Sequence, residues 1–156
     1  MKAAVFSDSH GQTVLMEEAV RRTRPDVIIH LGDHDRDAVE LRRIFPEIPL
    51  YSVCGNCDLM PLAPARETVQ LGPLKAFLTH GHLYGVKYGR VDSLVYAAME
   101  QGANIALFGH THEPMNQQLG GVHVINPGTA GKGRRPTWAL LEIFDNGGLY
   151  CSIKEL

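Results

Sequence analysis

Seven side chains of this sequence could hold metal ions, and they fall in five short motifs: Asp8-Ser9-His10, Gly32-Asp33, Gly55-Asn56, His80-Gly81 and Gly109-His110-Thr111-His112. All seven are oxygen or nitrogen donors, the set that suits a pair of hard or borderline divalent cations. Asp33 stands alone as one carboxylate suited to bridging two ions. Asn56 offers a neutral oxygen and His80 a ring nitrogen. Asp8 and His10 lie two residues apart, so an extended chain would point both the same way, and His110 and His112 repeat that spacing. Singly, each motif has an ordinary explanation: an Asp after a strand caps a helix, Gly-Asn makes a turn, a lone His is hydrogen-bonded. Their joint occurrence, each at the end of an apolar run, is what points to a metal site.

Those runs are the elements that must position the donors. Lys2 to Ser7, Val27 to Leu31 and Leu50 to Val53 read as buried strands. Between them Val14 to Arg22 carries apolar residues at helical spacing, and Ala38, Leu41, Ile44 and Phe45 suggest a second helix stopped at Pro46. The order βαβαβ implies a mostly parallel sheet covered by helices. Pro61 to Pro64 is a loop, and Glu67 to Leu71 with Leu74 to Thr79 forms a hairpin around Gly72-Pro73. Tyr84 to Tyr88 is irregular. A third helix spans Asp92 to Gln101 and ends at Gly102. Strands follow at Ile105 to Phe108, Val122 to Ile125, Trp138 to Phe144 and Leu149 to Ile153, the last two joined by the hairpin signal Asp145-Asn146-Gly147-Gly148. The expected fold is α/β: two packed mixed β-sheets flanked by helices, in a single domain over residues 1–156. Each motif lies just past the C-terminal end of a strand, and in open α/β sheets that edge forms the ligand crevice.

Composition narrows the function classes. A chain of 156 residues, 44 % apolar and 21 % charged, is long enough for one main core. Its net charge of −2 gives no global attraction for nucleic acid or anionic membrane, so any pull on an anion is local. No apolar stretch approaches the roughly 18 residues of a membrane span, and MKAAVFSDSH lacks a secretory apolar core. A cytoplasmic protein is expected, with no membrane partner and no sequence-specific nucleic acid partner. Three cysteines make no even disulfide framework. Cys54 and Cys57 form a C-x-x-C, but no second pair completes a zinc ribbon, and a redox pair fits less well than the Gly-Asn motif they enclose.

The ordered set D-x-H, G-D, G-N, lone His and G-H-x-H resembles the calcineurin-like metallophosphoesterase family, above all its small bacterial and archaeal phosphodiesterases. The match runs from Asp8 to His112, and Asn126-Pro127-Gly128-Thr129 resembles a further feature of that branch. The resemblance implies one metal held by Asp8, His10, Asp33 and His112 and a second by Asp33, Asn56, His80 and His110, with Asp33 shared. It places Asp33, Asn56 and His80 at the chemical step. It implies two divalent ions, manganese first, with nickel, cobalt, zinc or iron as substitutes. Two such ions, two carboxylates and a bridging hydroxide leave one net positive charge, which favours a phosphate anion. The metal pair would lower the pKa of the bridging water from about 15.7 toward 7 and orient it for in-line attack.

One departure bears on rate. Many family members carry a His after Gly-Asn as general acid; here Cys57 and then Asp58 follow, as in the small phosphodiesterase branch. General acid catalysis is typically worth ~10²–10⁴-fold, so the sequence implies leaving groups that depart without much protonation. His34 and His82 are candidate replacements, better read as residues that orient the ligands. Cys57, Asp58, His34, Arg36 and His82 are the candidate substrate contacts. Gly131-Lys132-Gly133-Arg134-Arg135 is a basic loop, more plausibly solvated than bound to phosphate. Tyr84, Tyr88 and Tyr96 read as packing residues, and His30 and His123 as structural. The expected activity is hydrolysis of a small or activated phosphodiester. The rival readings are a phosphomonoesterase, and a scaffold of the same fold such as a retromer subunit. A homodimer is compatible with so small a chain.

Overall fold

The first strand, β1 (Lys2–Phe6), sets the architecture because it is apolar on both faces. Ala3 and Val5 face one cluster of buried residues, and Ala4 and Phe6 face another. That is the alternation of a strand covered on both sides. The computed structural model describes residues 1–131, 133 and 135–156. Of the basic run after Ala130, Lys132 and Arg134 lie outside the described residues.

Two five-stranded sheets face each other. The first has the order β10-β9-β1-β2-β3, built from β2 (Val27–His30), β3 (Leu50–Ser52), β9 (Thr137–Ile143) and β10 (Leu149–Glu155) around β1. β1, β2 and β3 are parallel, and β9 and β10 are antiparallel. The second has the order β4-β5-β6-β8-β7, from β4 (Arg66–Leu71), β5 (Leu74–Thr79), β6 (Ile105–Leu107), β7 (Met115–Leu119) and β8 (Val122–Asn126). Val5, Ile29, Leu78 and Leu107 are among the residues that fill the space between the sheets.

Helices close the outer faces. α1 (Thr13–Thr23) buries Met16, Ala19 and Val20, and α2 (Asp35–Ile44) buries Ala38 and Leu41, against the first sheet. There Phe6 stacks on Trp138, ring centroids 5.4 Å apart. α3 (Asp92–Glu100) lays Leu94, Val95 and Ala98 on the second sheet beside Phe77 and Phe108. None of the helices among the described residues is long and apolar enough to cross a membrane.

The expected α/β sandwich is the fold observed, with strand and helix limits shifted by one to three residues. Two features differ. β7 was not expected, because Met115-Asn116-Gln117-Gln118-Leu119 carries polar, exposed residues through its middle. It exists as an edge strand through its hairpin with β8, closed by Gly120-Gly121, both at positive φ. The second difference lies in the metal motifs. β1 ends at Phe6, and Asp8 and His10 have φ of +54° and +46°, so neither continues an extended strand. Alternation along a strand therefore does not explain why they face the same way.

Candidate metal centre

Five of the seven donors share one backbone conformation. Among the described residues seven non-glycine residues have positive φ, and six of them are Asp8, His10, Asp33, His34, His110 and His112. Asp and His tolerate the left-handed region better than most residues, but it is still sparsely populated and needs outside support. Hydrogen bonds supply that support. Asp8 N–H donates to Gly32 O at 2.9 Å and Gly109 N–H to His80 O at 3.0 Å, tying neighbouring loops within each sheet. Two bonds cross between the sheets: His110 N–H to Asp8 Oδ2 at 3.0 Å, and His80 Nδ1 to Leu31 O at 2.8 Å.

Those bonds aim the ligand atoms. Asp8 is fully buried, and its Oδ2 accepts from Ser7 Oγ at 2.6 Å as well as from His110 N–H. Its Oδ1 is left free. His80 is equally buried. The Leu31 carbonyl can only accept, so Nδ1 carries the ring proton and the Nε2 lone pair faces the site. Asp33 Oδ1 accepts from Cys57 N–H at 2.9 Å. Burial works to raise the Asp33 pKa, but this bond and the nearby His80 hold it below the ordinary carboxylate value.

The free atoms converge. His112 Nε2 lies 3.0 Å from Asp8 Oδ1, His80 Nε2 lies 3.4 Å from Asp33 Oδ1, and His80 Nε2 lies 3.9 Å from Asp8 Oδ1. Yet Asp8 Oδ1 and His80 Nε2 are both buried without a hydrogen-bond partner. A buried polar atom left unpaired costs about 1–3 kcal/mol. The two orphans thus fit a cation, which both can ligate as they stand. Among the described residues two groups have their donor atoms all within 4.8 Å of one another: Asp8, His10 and His112, and Asp8, Asp33 and His80. A carboxylate with two neutral imidazoles, or two carboxylates with one, suits a divalent ion.

The structure places the other expected residues around this core. Asp8 is common to both groups, and Asp33, whose Oδ1 faces Cys57 N–H and His80, belongs to the second. His110 stands beside His80, ring centroids 5.0 Å apart, outside both three-residue groups. Burial, then the nearby His80 and Lys87, lowers its pKa, so it is neutral and able to ligate. Asn56 is exposed, with Nδ2 3.5 Å from Cys57 Sγ. The glycines of two motifs have steric causes: a side chain at Gly55 would strike the Asp33 carboxylate, and one at Gly109 would strike Ser7 Oγ and Asp8 Oδ2.

Among the candidate substrate contacts, Asp58 is the one whose atoms are engaged elsewhere. Its oxygens accept from the N–H groups of Asp33, His34, Asp35 and Gly55 at 2.7–3.1 Å, so it caps α2 and pins the loop rather than facing substrate. The Asp33 carboxylate beside it, then burial, pushes the Cys57 thiol pKa up to about 11. His34 and Arg36 are exposed at the edge of the site. The His82 ring sits 5.5 Å from that of His80, and burial followed by His80 lowers its pKa.

Further residues hold the donors from behind. Ser7 aims Asp8. The buried His30 accepts from Gly32 N–H at Nδ1, so its Nε2 donates to Ser9 Oγ at 2.9 Å; Ser9 Oγ donates to Asp37 Oδ2 at 2.6 Å, and Gly11 N–H donates to the same oxygen. Asn126 Nδ2 donates to Gly109 O and Thr111 Oγ1, and Thr129 Oγ1 to Asp8 O. The Asn126-Pro127-Gly128-Thr129 segment thereby braces the first and last motifs. His30 and Asn126 were visible in the sequence as polar residues inside apolar runs. Ser7 and Asp37 were not distinguishable from any surface residue.

Residues 1–146 match the profile of the calcineurin-like phosphoesterase superfamily domain. The chain belongs to that superfamily. This calcineurin-like phosphoesterase is 34 % identical over 132 residues to the probable metallophosphoesterase YsnB of Bacillus subtilis, a match covering 83 % of this chain and 75 % of the relative. It is 33 % identical over 97 residues to phosphodiesterase YfcE of Escherichia coli, covering 56 % of this chain and 48 % of that one. A solved structure from Streptococcus pneumoniae, described as a predicted phosphoesterase, superimposes with a TM-score of 0.78 at 28 % identity over 99 % of this chain and 97 % of that one. Metallophosphoesterases bind divalent metals, and this chain has donor groups that could hold such ions.

Proposed function

We propose that this calcineurin-like phosphoesterase is a phosphodiesterase that uses two divalent cations, manganese first, to hydrolyse a small or activated phosphodiester. The observation that carries the reading is the pair of buried, unpartnered atoms, Asp8 Oδ1 and His80 Nε2, with His112 and Asp33 against them. Asp8, His10 and His112 would hold one ion, and Asp8, Asp33 and His80 the other, completed by Asn56 and His110. When bound, the ions acidify a water and neutralise charge on the phosphoryl oxygens.

The chain's own part is to present the donors already oriented. Ser7 and His110 N–H fix Asp8, Leu31 O fixes the His80 tautomer, and Cys57 N–H fixes Asp33. Burial of these groups excludes the water that would otherwise screen them. The leaving group receives little help. With a pKa near 11, the Cys57 thiol is poorly matched to protonate a departing oxygen at neutral pH. Good leaving groups should therefore react and poor ones should not.

Hydrolysis of bis(p-nitrophenyl) phosphate and p-nitrophenyl phosphate, each with and without Mn²⁺, tests the proposal. Manganese-dependent turnover of the diester, well above that of the monoester, is the expected result. Preference for the monoester overturns the diester assignment, and turnover of neither overturns the enzymatic one. A His34→Ala variant assayed on aryl diesters of graded leaving-group pKa should keep the wild-type slope. A steeper slope would make His34 the acid.

A further inference from the structure

The loop after the Gly-Asn motif exposes three large apolar side chains within four residues. Leu59 is 91 % exposed, Met60 77 % and Leu62 64 %. Such clustering at the surface of a soluble protein marks a binding surface more often than chance. Looseness of the loop does not explain it, because its backbone is pinned on both sides of Leu59 and Met60. Asp35 Oδ2 accepts from the N–H groups of Leu62 and Ala63, Asp58 holds Gly55, Cys57 N–H donates to Asp33, and Cys54 N–H donates to Pro64 O. The loop is anchored at both ends while the side chains between are held out.

What they border is specific. Leu59 and Met60 line a cleft of about 380 Å³ together with Cys57, His34 and Arg36. That volume lies within the range of roughly 300–1,000 Å³ for small-molecule sites. The cleft adjoins the metal centre: Cys57 N–H bonds to Asp33, and the His34 ring lies 5.7 Å from that of His10. The acids in its wall are already engaged: Asp58 accepts from four N–H groups and Asp35 from two. Arg36 contributes a positive charge at its edge. An anionic phosphate at the metals would thus have an apolar surface on one side.

We propose that this cleft binds an apolar organic group of the phosphodiester, so that Leu59 and Met60 select the substrate. The inference rests on the phosphodiesterase reading and narrows its substrate class to diesters with an apolar substituent. It follows from a pinned loop, which loses little conformational freedom on binding, and from the continuity of the cleft with Asp33.

The test uses phosphinates, which carry the single negative charge of a diester but no bond to hydrolyse. Dissociation constants of dimethyl-, methyl(butyl)- and methyl(phenyl)phosphinate would be measured by calorimetry on the manganese-loaded protein. The wild type should bind the phenyl compound about tenfold more tightly than the dimethyl one, the gain for partial burial of a ring. In a Leu59→Ser/Met60→Ser variant that ratio should fall to about one; both side chains are exposed, so the fold tolerates the change. Equal affinities in the wild type overturn the inference alone, provided that bis(p-nitrophenyl) phosphate is hydrolysed. A variant that keeps the preference also overturns it, because the apolar group then binds elsewhere. A wild-type dimer that the double substitution dissociates assigns the patch to a contact between copies and overturns it too. Failure both to bind any phosphinate and to hydrolyse the diester removes the phosphodiesterase reading, and this inference with it.

Discussion

At the scale of single residues, the centre depends on groups that hold other groups still. Ser7 is the clearest case. Its hydroxyl occupies Asp8 Oδ2 and leaves Oδ1 to face the site. Losing a bond that orients a ligand typically weakens metal binding about 10–100-fold. Ser7→Ala should do so in calorimetric titration with Mn²⁺; unchanged affinity would mean that His110 N–H alone suffices. His30 works at one remove, through Ser9 and Asp37, and its burial has a pH signature. Burial is the main influence and lowers its pKa; Asp37, Asp8 and Asp58 oppose it, and His80 adds to it. The unfolded chain then binds more protons than the folded one in the window below about 6.5. The contribution of His30 is therefore complete above that value and is lost as pH falls toward its folded pKa. His82 and His110 shift the same way. Urea midpoints of the metal-free protein should fall between pH 7.5 and 5.5, and His30→Gln should flatten that fall. An unchanged slope would sink the assignment.

At the scale of elements, α2 shows how a helix can be started from outside. His34, at its N-cap position, makes no side-chain cap. Asp58, from the loop after β3, accepts the N–H groups of Asp33, His34 and Asp35 instead, and its negative charge sits at the positive end of the helix. Asp58→Ala orphans these donors and should destabilise by about 1–3 kcal/mol in urea unfolding, with Asp58→Asn in between. A loss within error would show that water replaces the carboxylate. The same elements show what could be read from the sequence. The parallel strands β1 and β2 were legible because both faces are apolar, and the donors because their chemical types recur just past strand ends. β7 was not, because an edge strand needs no continuous apolar stripe, and its pairing with β8 is carried by Gly120-Gly121. The left-handed turns at Asp8, Asp33 and His110 were not either, because carbonyls and N–H groups of distant loops hold them. The sharing of Asp33 between two ions stays an expectation of the resemblance: Cys57 N–H takes one of its oxygens, and a carboxylate has a second.

At the scale of the whole molecule, the centre is a joint between two sheets. Asp8 and Asp33 follow β1 and β2 of one sheet; His80, His110 and His112 follow β5 and β6 of the other. The donors of either three-residue group come together only when both sheets are formed and face to face, so the unfolded chain has no comparable site. Ligand binding to the folded state alone stabilises it by mass action, by about 2.7 kcal/mol at a free concentration of 100 Kd. For a chain of this size that amounts to roughly 5–10 °C in Tm. Melting of the chelator-treated protein with and without Mn²⁺ should show that rise, and excess chelator should reverse it. Asp8→Ala, which removes the one residue common to both groups, should abolish the rise without abolishing cooperative melting, since Val5, Ile29, Leu78 and Leu107 still pack the interface. His112→Ala should leave part of it, because Asp8, Asp33 and His80 remain together. A rise that persists undiminished in Asp8→Ala would place the bound ions somewhere other than between the sheets.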